Sequence, residues 1–257
     1  EDFMTTTEFT GKYDVIGTRP IRHDGLDKVT GRARYGADVV QTDLLHAKIL
    51  RSPHAHARII SINVEKAEKL PGVKAVMTSA DLPIIKDQII DFGETLGNVR
   101  LLAENALANE KVFYKGHAVA AVAAIDPHVA EAALDLIEVI YDPLTPVLNA
   151  SDAMQENAPL LHENMTTRSI AERFARGDDT GQKSNIASHL QFKNGDLDSG
   201  FSKATHVVER EFTTSTVHQG YIEPHTATVY WGTDEHIRVW TSTQGPFGVR
   251  TQTAAML

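Results

Sequence analysis

Two clusters of titratable side chains and one uncharged amide are where this sequence could do chemistry. Ser52-Pro53-His54-Ala55-His56, with His46 upstream, sets two imidazoles two residues apart, and on a strand that spacing places both on one side. Paired imidazoles suit zinc or copper, but spacing identifies no third ligand. A turn whose histidines bond the neighbouring backbone is the preferred reading, because a metal site needs a complete ligand set. His218, Glu223 and His225 form the second cluster, in His218-Gln219-Gly220-Tyr221-Ile222-Glu223-Pro224-His225. A carboxylate beside imidazoles can move protons. Glu223 precedes a proline at a strand entry, where a carboxylate commonly ties down backbone N–H groups, so a structural role is preferred here too. The amide is Gln244, which follows an expected strand and precedes Gly245-Pro246. It can donate a hydrogen bond to a bound oxygen while adding no charge, although a glutamine at a strand end carries no function by itself. No Gly-x-Gly-x-x-Gly follows a strand, and neither Gly-x-x-x-x-Gly-Lys-Ser/Thr nor Gly-x-Ser-x-Gly occurs. The usual phosphate loops and the hydrolase nucleophile elbow are therefore absent.

The elements that must position these residues read as follows. Residues 1–21 are a polar, threonine-rich arm ending near Gly17-Thr18-Arg19-Pro20. Residues 57–62 are β-rich, with Ile60 and Ile62 on one face; Val64, Ala67 and Leu70 then sit at helical spacing until Pro71-Gly72, and Val73, Ala75 and Met77 alternate as a strand. A second strand–helix–strand unit is stronger. His117 to Ile125 is nearly continuous small apolar sequence, as in a strand buried on both faces. Asp126-Pro127 supplies an N-cap and a first-turn proline, Val129, Ala132, Ala133, Leu136 and Ile137 mark one helical face, and Ile137 to Tyr141 leaves as a strand. Together these predict a compact α/β domain over residues 22–150. Residues 151–205 read as a connecting segment, polar and glycine-punctuated, with Ser151-Asp152 capping a short helix through Met154. Strands are expected at 206–212, 226–231 and 236–241, the last two joined by the turn Gly232-Thr233-Asp234-Glu235. A helix starting at Pro246, with Val249, Thr253, Met256 and Leu257 as its stripe, completes residues 206–257 as the beginning of a second domain.

Composition narrows the class. The 257 residues are 42% hydrophobic and 23% charged, with a net charge of −9, which excludes whole-chain disorder and gives no basic footprint for nucleic acid. No apolar run approaches the ~18 residues of a membrane span, and the opening Glu1-Asp2-Phe3 lacks a signal-peptide pattern. Cysteine is absent, so disulfides and iron–sulfur ligation by this chain are excluded, and a cytoplasmic location is expected.

Several strings together resemble the large subunit of the xanthine oxidase family of molybdenum hydroxylases, which includes aldehyde oxidoreductases and carbon monoxide dehydrogenases. They are Arg22-His23-Asp24-Gly25-Leu26-Asp27-Lys28-Val29-Thr30-Gly31-Arg32-Ala33-Arg34-Tyr35-Gly36-Ala37-Asp38, Leu50-Arg51-Ser52-Pro53-His54-Ala55-His56-Ala57-Arg58-Ile59, Leu70-Pro71-Gly72-Val73 and Lys111-Val112-Phe113-Tyr114-Lys115-Gly116-His117-Ala118-Val119-Ala120. Further along stand Gly195-Asp196-Leu197-Asp198, Val208-Glu209-Arg210, Ile222-Glu223-Pro224-His225 and Thr241-Ser242-Thr243-Gln244. The resemblance implies an α+β or α/β fold, an α/β-hammerhead domain followed by the start of a molybdopterin-binding domain. It also implies that Gln244 binds the cofactor, hydrogen-bonding a terminal ligand of the molybdenum, while iron–sulfur clusters and FAD reside on partner subunits. His117 departs from the Glu or Gln usual at its position. The family's Gly-Gly-Phe-Gly loop, substrate-gripping residues and active-site glutamate are not found in this sequence, so no catalytic residue and no metal ligand is assigned to the chain.

The leading expectation is thus the N-terminal portion, truncated or split, of a large subunit whose complete enzyme hydroxylates an aldehyde, N-heterocycle or related carbon centre with water-derived oxygen. Its partners would be the remainder of the large subunit or a second split chain, the iron–sulfur and flavin subunits, and a small-molecule substrate. The rival is a non-catalytic hammerhead interaction module, soluble and monomeric. A third reading, a metal protein using His46, His54 and His56, requires stoichiometric zinc or copper.

Overall fold

The computed structural model describes residues 13–83, 85, 88–91, 96–171 and 177–257. Residues 1–12 of the expected arm therefore lie outside the described residues. In chain order the elements are α1 (Gly25–Val29), β1 (His46–Arg51), β2 (Ala57–Asn63), α2 (Glu65–Glu68), β3 (Val73–Thr78), β4 (Ile89–Asp91), β5 (Leu96–Asn98) and α3 (Val99–Ala106). They continue with β6 (Lys111–Val112), β7 (Ala118–Ala124), α4 (Pro127–Leu134), β8 (Glu138–Pro143), α5 (Ala150–Ala153), β9 (Thr166–Ile170), β10 (Asp178–Lys183) and β11 (Ser188–Leu190). The last are α6 (Leu197–Lys203), β12 (Ala227–Trp231), β13 (Ile237–Thr241) and α7 (Pro246–Met256). The chain divides into a larger unit, Gln41–His218 with Thr243–Leu257, and a smaller one, Glu1–Val40 with Gln219–Ser242. Among the described residues no helix is long and apolar enough to cross a membrane.

The larger unit is built on two antiparallel sheets, ordered β1-β7-β3 and β6-β2-β8. Each strand–helix–strand unit crosses from one sheet to the other: β2 and β8 pair with each other, and β3 joins β7. The central strand β7 is almost wholly buried, as its small apolar sequence requires. Its alanines let α2 and α4 approach closely, and Ala67, Ala120, Val122, Ala130 and Ala133 are all fully buried. Asp126 caps α4 by accepting from His128 N–H (2.8 Å) and Val129 N–H (2.9 Å), with Pro127 in the first turn. A second core gathers Ala57, Ala108, Val112 and Val119 beneath Ile59, Ile62 and Tyr141.

Three details of the expected pattern change. Register shifts at Ile59/Ser61 in β2 and at Val73/Ala75 in β3 break the two-residue alternation. Ile59 and Ile62 consequently face the core while Ile60 is exposed, and Val76 takes the inward place expected of Met77. An extra residue on one strand reverses which side the following side chains take. On α4 the buried stripe runs through Ala130 and Ala133, and Ala132 faces outward.

The stretch read as a connection carries structure of its own: the sheet β10-β9-β11, in which β11 runs parallel to β9, and α6, capped by Asp196. The cap of α5 is Asn149, accepting from Asp152 N–H at 2.8 Å, not Ser151. Asn185 then staples the segment before β9. Its Oδ1 accepts from Leu161 N–H (2.9 Å), and its Nδ2 donates to the carbonyls of Ala153 (3.2 Å) and Pro159 (3.0 Å). Residues 206–212 form no strand, since a strand needs a pairing partner and none of the described residues provides one.

In the smaller unit β12 and β13 form the expected hairpin, with Gly232 N–H donating to the His236 carbonyl across the turn (3.0 Å). One face carries Val229 opposite Val239 and Trp231 opposite Ile237, all largely solvent-exposed. The 3-10 turn Gly36–Asp38 packs on β12. A Cβ at Gly36 would lie 2.5 Å from Thr226 Oγ1, so only glycine fits that approach.

Candidate functional site

Gln244 sits in the short turn leading into α7. Thr243 Oγ1 accepts from Gly245 N–H (3.0 Å), Gly245 is the N-cap residue, and Pro246 opens the helix. No side chain caps this end, so the first-turn amides keep unused donor capacity and the positive end of the helix dipole is open. Gln244 is exposed, and its amide makes no hydrogen bond among the described residues. Of the expected stripe, Val249, Thr253 and Met256 are partly buried, whereas Leu257 lies beyond α7 and is 71% exposed, so it does not belong to the stripe. Helix α7 packs against α3 within the larger unit. An uncharged donor beside an uncapped helix N-terminus is suited to an oxygen-rich, anionic group.

The histidine string does not assemble a metal centre. His56 is buried and its Nδ1 lies 2.9 Å from the Thr145 carbonyl, so Nδ1 carries the proton and donates. Its Nε2 is buried without a hydrogen-bond partner among the described residues. His54 packs edge-on against Tyr141, with ring centroids 5.0 Å apart, and His46 lies at the start of β1. Among the described residues no three His, Cys, Asp or Glu side chains converge as a metal-ligand set. His225 is engaged edge-on with Tyr221 (4.6 Å), and Glu223 is exposed. His218 falls in the larger unit, Glu223 and His225 in the smaller.

A buried polar cluster that the sequence reading missed lies between α3, β6 and the segment before β9. Lys111 is only 6% exposed, and its Nζ donates to the Leu161 carbonyl and to Glu163 Oε1, both at 2.8 Å. That bond to Lys111 holds the Glu163 carboxyl below the usual carboxylate range. His117 is fully buried. Phe113 N–H donates to its Nδ1 (3.2 Å), which places the proton on Nε2, and Nε2 donates to the Glu104 carbonyl (2.9 Å) in the last turn of α3. The ring stacks on Tyr114 at 4.5 Å. Burial lowers the His117 pKa, against the pull of the Glu104 and Asn105 carbonyls. His162 packs on Phe113 (4.3 Å) and is also lowered by burial, against nearby Glu104. Lys111, half of the two-residue strand β6, carried no local signal of its burial, and neither did the role of His117.

Comparison with known proteins gives this geometry its context. Residues 30–145 match the family model for the aldehyde oxidase and xanthine dehydrogenase a/b hammerhead domain, and residues 179–257 match the molybdopterin cofactor-binding domain. The chain is 30% identical over 95% of its length to the nicotinate dehydrogenase large molybdopterin subunit of Eubacterium barkeri, covering 51% of that protein. It is 33% identical over 96% of its length to the carbon monoxide dehydrogenase large chain of Afipia carboxidovorans, covering 29% of it. Reconstituted CO dehydrogenase from Oligotropha carboxidovorans superposes with a TM-score of 0.73 at 30% identity, over 93% of this chain and 29% of that one. Quinoline 2-oxidoreductase from Pseudomonas putida 86 gives 0.69 at 29% identity, over 95% and 29%. The chain thus spans between about half and under a third of the length of these relatives. With a hammerhead match, a cofactor-domain match and these neighbours in agreement, the chain belongs to the xanthine oxidase family of molybdenum hydroxylase large subunits.

Proposed function

We propose that this chain is the N-terminal portion of a molybdenum hydroxylase large subunit and contributes Gln244 to the cofactor site. The observation that carries the reading is the exposed amide of Gln244 at the uncapped start of α7, inside the segment matching the molybdopterin-binding domain. Those residues fit the group: a neutral N–H donor and open helix amides suit an anionic, oxygen-bearing ligand. Bound in the complete enzyme, molybdopterin would supply the two-electron oxidation that hydroxylates an aldehyde, N-heterocycle or related carbon centre with oxygen from water. Gln244 would donate its hydrogen bond to a terminal ligand of the molybdenum and hold that ligand's orientation. A side chain that hydrogen-bonds a metal's ligand typically changes rate or affinity about 10- to 100-fold.

Among the described residues the hammerhead part of the larger unit gathers no metal-ligand set, and scaffolding and subunit contact are assigned to it. The remainder of the large subunit, either continuous or as a second chain, would complete the cofactor site and cover the apolar face of the β12–β13 hairpin. Electrons would leave through iron–sulfur and flavin subunits, since a chain without cysteine supplies no thiolate ligands. A cytoplasmic assembly is part of the same proposal. The test is Gln244→Ala in the complete complex, with turnover and assembly measured side by side. A fall in kcat of roughly 10-fold or more with normal assembly is expected. Unchanged turnover would remove the role given to Gln244.

A further inference from the structure

We infer that Asn194 is a site of spontaneous covalent modification, at which the side-chain amide closes on the Gly195 nitrogen and is converted to aspartate and isoaspartate. Asparagine is among the thermolabile residues of proteins. Its reaction depends on how freely the following main-chain nitrogen reaches the side-chain carbonyl carbon, and on whether hydrogen bonds hold either group. Of the asparagines in the chain, only Asn194 precedes a glycine. Gly195 has no Cβ to shield its nitrogen, its φ is +74°, and a Cβ built there would meet nothing within 4 Å. Both residues are exposed in the turn before α6. Among the described residues neither the Asn194 amide nor the Gly195 N–H makes a hydrogen bond. Other asparagines are held on both counts. Asn185 Oδ1 accepts from Leu161 N–H, and its Nδ2 donates to the Ala153 and Pro159 carbonyls. The N–H of Ile186, the nitrogen that would attack it, donates to Ser184 Oγ at 2.8 Å. Asn98 accepts from Leu101 N–H at 3.2 Å, while Val99 N–H donates to the Gln88 carbonyl at 3.0 Å.

The step needs only water and no oxidant or reductant. The Gly195 nitrogen gives up its proton to base and attacks Asn194 Cγ. The new C–N bond closes a succinimide ring as the bond to the side-chain nitrogen breaks, and that nitrogen leaves as ammonia. Water then opens either ring carbonyl. One product is aspartate; in the other, isoaspartate, the main chain runs through the side-chain carbons and is one carbon longer at residue 194. Both add a negative charge close to Asp196 and Asp198. Asp196 caps α6 by accepting from Ser199 N–H at 3.0 Å, and no residue of α6 is buried. The isoaspartyl product thus alters the backbone two residues before the group that starts this helix.

The experiment incubates the folded full chain at mildly alkaline pH and follows each asparagine by peptide mapping with mass spectrometry and by isoaspartyl-directed carboxyl methylation. Short peptides with the sequences of residues 191–198 and 182–188 give the unprotected rates. Asn194 should convert in the folded chain within about threefold of its peptide, because an exposed turn without hydrogen bonds opens at almost no free-energy cost. Asn185 should convert at least about tenfold more slowly than its peptide, since hydrogen bonds worth about 1 kcal/mol each must first break. Asn194→Gln should abolish the early acidic form of the chain. A larger shortfall at Asn194, an Asn185 that reacts as fast as its peptide, or an acidic form that persists in Asn194→Gln would each overturn the inference.

Discussion

Acid should destabilise the larger unit through its buried histidines, beginning where an unfolded histidine starts to bind a proton. His117 is fully buried, and its ring has no site for a second proton, because Nδ1 already accepts from a backbone N–H. Burial lowers its pKa below the ordinary 6.5, and the same cause lowers that of His162. Above about pH 6.5 both states carry neutral rings and these groups contribute their full stability. As the pH falls below 6.5 the unfolded chain takes up protons that the folded chain refuses, so stability is lost through the window between 6.5 and each lowered folded pKa. One such group costs up to about 1.4 kcal/mol per pH unit in that window. His162 should contribute less than this ceiling, because its side chain is 26% exposed and Glu104 lies 3.7 Å away. The assay is urea unfolding followed by far-ultraviolet circular dichroism between pH 7.5 and 5, at constant m. Tryptophan fluorescence would be the wrong probe, since Trp231 and Trp240 both lie in the hairpin of the smaller unit. His117→Gln keeps both hydrogen bonds and removes the titration, so its stability should fall less steeply with acid. Identical pH profiles for the two proteins would refute the assignment of His117 as a neutral, buried bridge.

Asp126→Ala should lower the stability of the larger unit by about 1 kcal/mol through loss of the α4 cap, with Asp126→Asn close to wild type, both measured by urea unfolding. Because the accepted N–H groups of Val129 and His128 depress the Asp126 pKa below 3.8, that carboxylate's contribution is present above 3.8 and disappears as pH falls through its lower folded value. Ala133→Leu should cost about 1–3 kcal/mol by overpacking, since Ala133 is fully buried in the core that includes Val122 and Ile137; the change is read as a lower urea midpoint at unchanged m.

Much of the larger unit was legible because its signals are local. The Asp126-Pro127 cap, the apolar run of β7, the turn at Gly232–Glu235 and the start of α7 at Pro246 are each written within about ten residues, and each forms where expected. Gln244 is the exception: its place between a strand and Gly245-Pro246 carries no function by itself, and the role proposed for it came only from the strings shared with the family. The strings shared with molybdenum hydroxylases extended that reading to the family. Pairing is different, because it joins segments that sequence spacing does not relate. Nothing near residue 57 says that Ala57 will lie opposite Pro143, or that β3 will leave its own unit to join β7. The register shifts in β2 and β3 then turned Ile60 and Met77 outward, an outcome set by the partner strand and invisible to a two-residue period. Residues 206–212 show the converse: alternation alone does not make a strand when no edge accepts it. His117 shows the same limit in chemical form, since an imidazole reads identically in sequence whether it is a ligand, an acid or a bridge. Its proton was assigned by Phe113, four residues away, and Glu104, thirteen residues away. Hydrogen-bond direction depends on which groups folding brings within about 3 Å, and that proximity is a property of the packed chain.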